Sequence, residues 1–154
     1  MKYWIVADTH FNNRHGVDDK YIHTMKHTIK EDDVLIHLGD VCFTHYERWH
    51  RLVSSGYKSW LILGNHENKS PTWYLNNGWS FVANEIGINR FGLRMLLTHE
   101  PKPIANYDLN IHGHLHKKNG HRADEAINDG KHWFVESGAQ PITLERLAER
   151  FKCK

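Results

Sequence analysis

Cysteine is scarce in this chain, with Cys42 and Cys153 the only two among 154 residues. Two thiols cannot build a disulfide framework, which excludes a small stapled secreted scaffold and suits a reducing cytoplasm. Long apolar runs are missing as well: none nears the roughly 20 residues a membrane-spanning helix needs. The opening "MKYWIVAD" has a continuous apolar run of only five residues ahead of Asp8, too few for the hydrophobic region of a secretory leader. Neither sign of charge dominates. Twenty Lys and Arg against 18 Asp and Glu leave a formal +2, and the charges are interspersed. That balance gives no electrostatic basis for stable nucleic-acid or membrane binding. Repeats, low-complexity tracts and linkers are also absent, which predicts a single domain over residues 1–154 with enough chain to bury a core. The expectation is a soluble cytoplasmic protein.

Histidine is plentiful, at 14 residues, and 40% of the chain is hydrophobic. Short apolar runs at residues 3–7, 34–36, 60–63, 95–97 and 109–111 fit strands buried on both faces. Helical patterns lie between the first three. Ile22, Met25 and Ile29 recur at helical spacing. Thr44 opens a capping-box pattern with Glu47 ahead of Trp49, Leu52 and Val53. Ser70 and Pro71 form an N-cap and first-turn pair for a short helix through Leu75. Alternating strand and helix of this kind predicts a layered α/β fold. Downstream, "FVANEIGINRFGLRMLL" predicts strands joined by a turn near residues 89–92, so that part of the sheet is antiparallel. "HWFVES" predicts a late strand, and Thr143 caps a last helix carrying Leu144, Leu147 and Phe151. The polar stretch 117–131 is the one loop with room to act as a lid.

Each strand-like run leads at once into ligand chemistry. The runs end in Asp8-Thr9-His10, Gly39-Asp40, Gly64-Asn65-His66-Glu67, Thr98-His99 and Gly113-His114-Leu115-His116. In open α/β sheets the crevice beyond the carboxyl ends of strands is where ligands bind. Mixed oxygen and nitrogen donors without thiolate suit Mn, Fe, Zn, Co or Ni better than Ca or an iron–sulfur cluster. The set is too large for one ion, and a shared carboxylate would allow two. Two ions can clamp the attacking and leaving oxygens of an in-line displacement at phosphorus.

In order, D-x-H, GD, GNHE, a lone His after a strand, and GHxH resemble the calcineurin-like metallophosphoesterase superfamily. The stretches "DTHF", "VLIHLGD" and "QPITLERL" are similar to a small stand-alone, phosphodiesterase-like branch. The resemblance implies an α/β/β/α sandwich of mixed sheets flanked by helices. It also implies two divalent metal ions, manganese first, with iron, zinc, nickel or cobalt as alternatives. One metal would take Asp8, His10 and His116; the other Asn65, His99 and His114; Asp40 would bridge them. His66 would stand outside both as the catalytic residue, donating a proton to the leaving group or stabilising phosphoryl charge. The implied activity is hydrolysis of a small, nucleotide-type phosphodiester by in-line attack of a metal-bridging hydroxide. A phosphomonoesterase, or a non-catalytic metal-binding scaffold of the same fold, are the alternatives.

Other residues are weighed against plainer roles. Arg14 and His15 are candidate contacts to a substrate phosphate. The branch usually continues DTHF with Gly-His, whereas this chain has Asn12-Asn13, so no role carries over to that position. Lys117, Lys118, His121 and Arg122 read as a solvated loop, Trp73 and Tyr74 as core, and Cys42 as a buried inert thiol. His112 reads as a strand residue rather than a ligand. Glu67 either orients the His66 ring or is a surface carboxylate.

Overall fold

The computed structural model describes residues 1–12, 18–115, 130–135 and 140–153. In chain order the elements are β1 (Tyr3–Val6), α1 (Asp18–Thr28), β2 (Val34–His37), α2 (Tyr46–Ser54), β3 (Lys58–Ile62) and α3 (Pro71–Asn76). They continue with β4 (Phe81–Ala83), β5 (Glu85–Arg90), β6 (Leu93–Thr98), β7 (Leu109–His112), β8 (His132–Phe134), β9 (Ile142–Thr143) and α4 (Leu144–Lys152).

Alternate residues of each short strand bury on opposite sides, as a period of two requires. Ile5, Ile36 and Ile62 face Met95, Leu97, Leu109 and Ile111 in one core, which Leu144 and Leu147 of α4 join. Their sequence neighbours Val6, Leu35 and Leu61 point the other way, into a second core with Met25, Trp49, Val53 and Tyr74 of α1–α3. Burial on both faces is why the runs read as continuous rather than alternating.

The first sheet has the order β4-β3-β2-β1-β9, with β1 to β4 parallel and β9 antiparallel to β1. The second has the order β5-β6-β7-β8, with β5 antiparallel to β6 and the rest parallel. The result is two mixed sheets flanked by helices, as the resemblance implied. Among the described residues no helix is long and apolar enough to cross a membrane.

Two of the three expected caps form. The Ser70 hydroxyl accepts the Trp73 N–H at 3.2 Å and Thr143 accepts the Arg146 N–H at 3.3 Å. Thr44 does not cap α2. The N-cap is His45, in the left-handed region at φ 54° and without a side-chain cap bond. The Thr44 hydroxyl is taken instead by the Asn12 amide, and Glu47 pairs with Arg51 at 3.2 Å. The β5–β6 turn falls on Phe91 and Gly92, at φ 56° and 70°, the primed two-residue hairpin turn whose twist matches the strands.

Two histidines are enclosed in the helix-side half of the molecule. His37 Nδ1 accepts the Gly39 N–H at 3.1 Å, so Nε2 carries the proton and donates to Thr9 Oγ1 at 2.9 Å. His50 Nδ1 accepts from the Trp79 indole at 2.9 Å, with the Tyr74 ring 4.8 Å away. Burial pushes their pKa values down, to about 3 and about 4. Both are therefore neutral when folded, whereas the unfolded chain takes up their protons near pH 6.5. Stability is accordingly full above that pH and falls as pH drops towards the folded values, by up to about 1.4 kcal/mol per pH unit for each histidine. Urea unfolding at pH 7, 6 and 5 checks this. A His50→Gln variant, which keeps an acceptor for Trp79, is expected to lose part of the slope; an unchanged slope would assign the acid sensitivity elsewhere.

Candidate metal centre

Five loops that carry candidate ligands begin where strands end. Asp8, Asp40, Asn65, His99 and His114 each lie within three residues of the carboxyl end of β1, β2, β3, β6 and β7. Parallel pairing within each sheet sends those ends the same way, and the shared core holds the two sheets together. The backbone at the site is strained. Asp8, His10, Asp40 and His114 adopt positive φ angles of 49°, 44°, 58° and 67°, a region that costs non-glycine residues on the order of 1 kcal/mol each. A ladder between the first two loops holds part of this: Asp8 N–H to Gly39 O at 3.0 Å, His10 N–H to Asp40 O at 3.0 Å, Phe11 N–H to Val41 O at 2.9 Å. Gly39, at φ 101°, admits no side chain, because a Cβ would sit 2.7 Å from the Gly64 nitrogen and from His99 Nδ1. At Gly113 a Cβ would collide with the Asp8 carboxylate.

The donor atoms fall into two groups that share Asp40. In one, His99 Nε2 lies 2.8 Å from Asn65 Oδ1, 3.0 Å from His114 Nδ1 and 3.4 Å from Asp40 Oδ2. His114 Nδ1 is 3.1 Å from Asn65 Oδ1. His99 Nδ1 donates to the Leu38 carbonyl at 2.9 Å, which aims Nε2 at the others. In the second group, His10 Nε2 lies 3.7 Å from both Asp8 Oδ1 and Asp40 Oδ2. His66 Nε2 stands 3.9 Å from Asp40 Oδ2, and its side chain is 34% exposed against 8% for His10 and 5% for His99.

The spacings of the first group suit a cation. Bonds of about 2.0–2.2 Å to one ion put neighbouring ligand atoms roughly 3–3.6 Å apart. Lone pairs this close repel one another unless a proton or a metal ion lies among them. The electrostatics agree. Burial opposes ionisation of Asp40, but the hydrogen bond and charge of His99, with the His66 N–H on Oδ1 at 2.9 Å, hold it down at about 2. Burial also opposes charge on His99, and Asp40 outweighs it, raising the imidazole to about 9. Burial lifts Asp8 to about 7 against the His114 N–H that its Oδ2 accepts at 2.8 Å.

Glu67 neither orients the His66 ring nor lies idle on the surface. Its Oε2 accepts the N–H groups of Asp40 and Gly64, both at 2.7 Å, and its Oε1 accepts that of Val41 at 3.0 Å. One carboxylate thus ties the loop after β2 to the loop after β3. Burial raises its pKa in spite of these bonds. A signal existed in principle: two glycine-rich loops with N–H groups to satisfy, and a carboxylate beside them.

His112 is buried in β7 with Nδ1 on the Gly113 carbonyl at 3.0 Å, a strand residue as expected. Tyr74 is fully buried and packs in the helix-side core with Trp73 against it. Cys42 is buried and its thiol is pushed up to about 12 by burial, hence inert. His116, Arg14, His15 and loop residues 117–129 lie outside the described residues. Phe43, stacked on His10, was not anticipated.

Carboxylates, an amide and imidazoles gathered at strand ends of a two-sheet α/β sandwich define the class: a protein built around a candidate metal centre. The chain belongs to the calcineurin-like phosphoesterase family, whose model matches residues 1–150. Among solved structures, AQ665, a protein of unknown function from Aquifex aeolicus, is similar over 97% of this chain and 98% of its own (TM-score 0.78, 20% identity). A novel archaeal phosphodiesterase is similar over 88% and 82% (TM-score 0.55, 18% identity). Pseudomonas putida nuclease MPE is similar over 74% of this chain and 61% of the nuclease (TM-score 0.52, 21% identity). At such identities the likeness is one of fold. No curated protein sequence gives a significant match.

Proposed function

We propose that the protein is a dinuclear-metal phosphodiesterase that hydrolyses a small, nucleotide-type diester in the cytoplasm. One observation carries the reading: Asp40 is shared by a donor group with His10 and His66 and another with His99 and His114, with Asp8 3.7 Å from His10 and Asn65 2.8 Å from His99. His116 joins the His10 and Asp8 group by resemblance, and Arg14 and His15 remain the proposed contacts to substrate phosphate. Oxygen and nitrogen donors without thiolate suit manganese, iron, zinc, nickel or cobalt alike; manganese is the ion proposed. Two such cations, when bound, would supply a lowered water pKa and neutralise charge on phosphoryl oxygens.

The chain's own residues do the positioning. Asp40, held at a low pKa, keeps its charge across the neutral range. His99 is aimed by Leu38, and Asp8 by the His114 backbone N–H. His66 Nε2, partly open to solvent, donates a proton to the departing alkoxide. Its own N–H is anchored on Asp40, so the proton donor and the shared ligand keep one geometry. The likeness to the archaeal phosphodiesterase supports diesters over monoesters, by fold analogy.

Turnover by Mn-loaded and metal-free protein on bis(p-nitrophenyl) phosphate and p-nitrophenyl phosphate tests the proposal. Metal-dependent preference for the diester is expected; no turnover of either by metal-loaded protein would refute it. His66→Ala is expected to keep its metal and lose about 10²–10⁴-fold in kcat on poor leaving groups, with a much smaller loss on p-nitrophenolate esters. Equal losses on both would remove the proton-donor role.

A further inference from the structure

Phe43 lies at the centre, and neither ligation nor proton transfer uses it. It is 40% exposed, and among the described residues it is the exposed large hydrophobic side chain packed against site histidines. Its ring stacks on His10 at 4.7 Å and 20°, while the His66 ring stands perpendicular to it at 5.0 Å. The backbone beneath is fixed. The Phe43 N–H donates to the Phe11 carbonyl at 3.1 Å, and Phe11 and Cys42 form a parallel bridge. The ladder that holds the Asp8 and Asp40 loops therefore also holds this ring. A rigid aromatic ring partly in water beside a highly polar centre loses little entropy on taking a flat partner. Every nucleobase has a π-face to offer it.

We propose that Phe43 is the base-stacking platform of the site, holding the nucleobase of a nucleotide substrate beside His66. The inference rests on the phosphoesterase reading and names the group recognised. It assigns specificity to one ring within reach of the proton donor, and makes a purine nucleotide a better ligand than a phosphate ester without a base.

The test is calorimetric binding of adenosine 5′-monophosphate and of methyl phosphate to Mn-loaded protein, for the wild type, Phe43→Ala, Phe43→Leu and Phe43→Trp. The wild type is expected to prefer the nucleotide, and Phe43→Ala to reduce that preference about tenfold. Phe43→Leu, which keeps an apolar cover on His10, is expected to lose the preference too, and Phe43→Trp to keep it. If Phe43 only shields His10, both ligands weaken alike in Phe43→Ala and Phe43→Leu restores both; that result, or a wild type without preference, overturns the platform. Turnover separates the two readings. A diester-hydrolysing enzyme with no dependence of preference on Phe43 loses the platform alone. A Phe43-dependent preference in a protein that turns over no diester keeps the platform and loses the phosphodiesterase.

Discussion

Replacing Asp40 with Asn is expected to remove metal and turnover together, with activity falling by at least about a thousandfold. The side chain is the hub of the centre. Its Oδ2 lies 3.4 Å from His99 Nε2, 3.7 Å from His10 Nε2 and 3.9 Å from His66 Nε2. Its Oδ1 accepts the His66 N–H at 2.9 Å. Asn preserves the volume and an acceptor for that N–H, so packing around the loop survives while the shared anionic ligand is lost. His99 also loses the partner that raises its pKa to about 9, so its imidazole titrates lower in the variant, which NMR of the metal-free protein would detect. Full metal content in a folded Asp40→Asn protein would show that the two donor groups do not depend on a shared carboxylate.

Changing Glu67 gives the second large effect, by a different route. Its three bonds go to the backbone N–H groups of Asp40, Val41 and Gly64. Glu67→Ala strands these donors, each costing about 1–3 kcal/mol if left unsatisfied. Partial rehydration makes a net loss of roughly 2–5 kcal/mol the reasonable expectation. Glu67→Gln turns an NH₂ group towards N–H donors that had an oxygen, loosening Asp40 without emptying the space. Groups that orient ligands typically contribute 10–100-fold to metal affinity, and a loss in that range is expected for the Gln variant. Urea unfolding and manganese titration read the two effects separately. Unchanged affinity in Glu67→Gln would mean that the clamp does not control the ligand.

The strands and the residues gathered at their ends were legible because the same physics writes both. A strand buried on both faces leaves a continuous apolar run, and the run stops where the chain meets the polar crevice, as at Leu38-Gly39-Asp40 and Ile62-Leu63-Gly64-Asn65. What was not legible depends on partners distant in sequence. Thr44 has the pattern of a cap, yet Asn12, 32 residues away, takes its hydroxyl. Glu67 reads as an orienting or idle carboxylate until the loop carrying Asp40, 27 residues away, folds against it. The left-handed backbone at Asp8, His10, Asp40 and His114 had no signature, since none is glycine and only tertiary bonds hold them there. Strand β9, two residues long, is too short to show any period. Phe43 reads as one more aromatic until His10 is found beneath it.

The central claim is that Asp40 is shared by two metal ions. The most direct measurement is the metal content of wild-type and Asp40→Asn protein after equilibration with manganese and gel filtration, by inductively coupled plasma mass spectrometry. Two equivalents in the wild type, and loss of both in the variant, is the predicted result. One equivalent in the wild type, or a variant that still holds two, would contradict it.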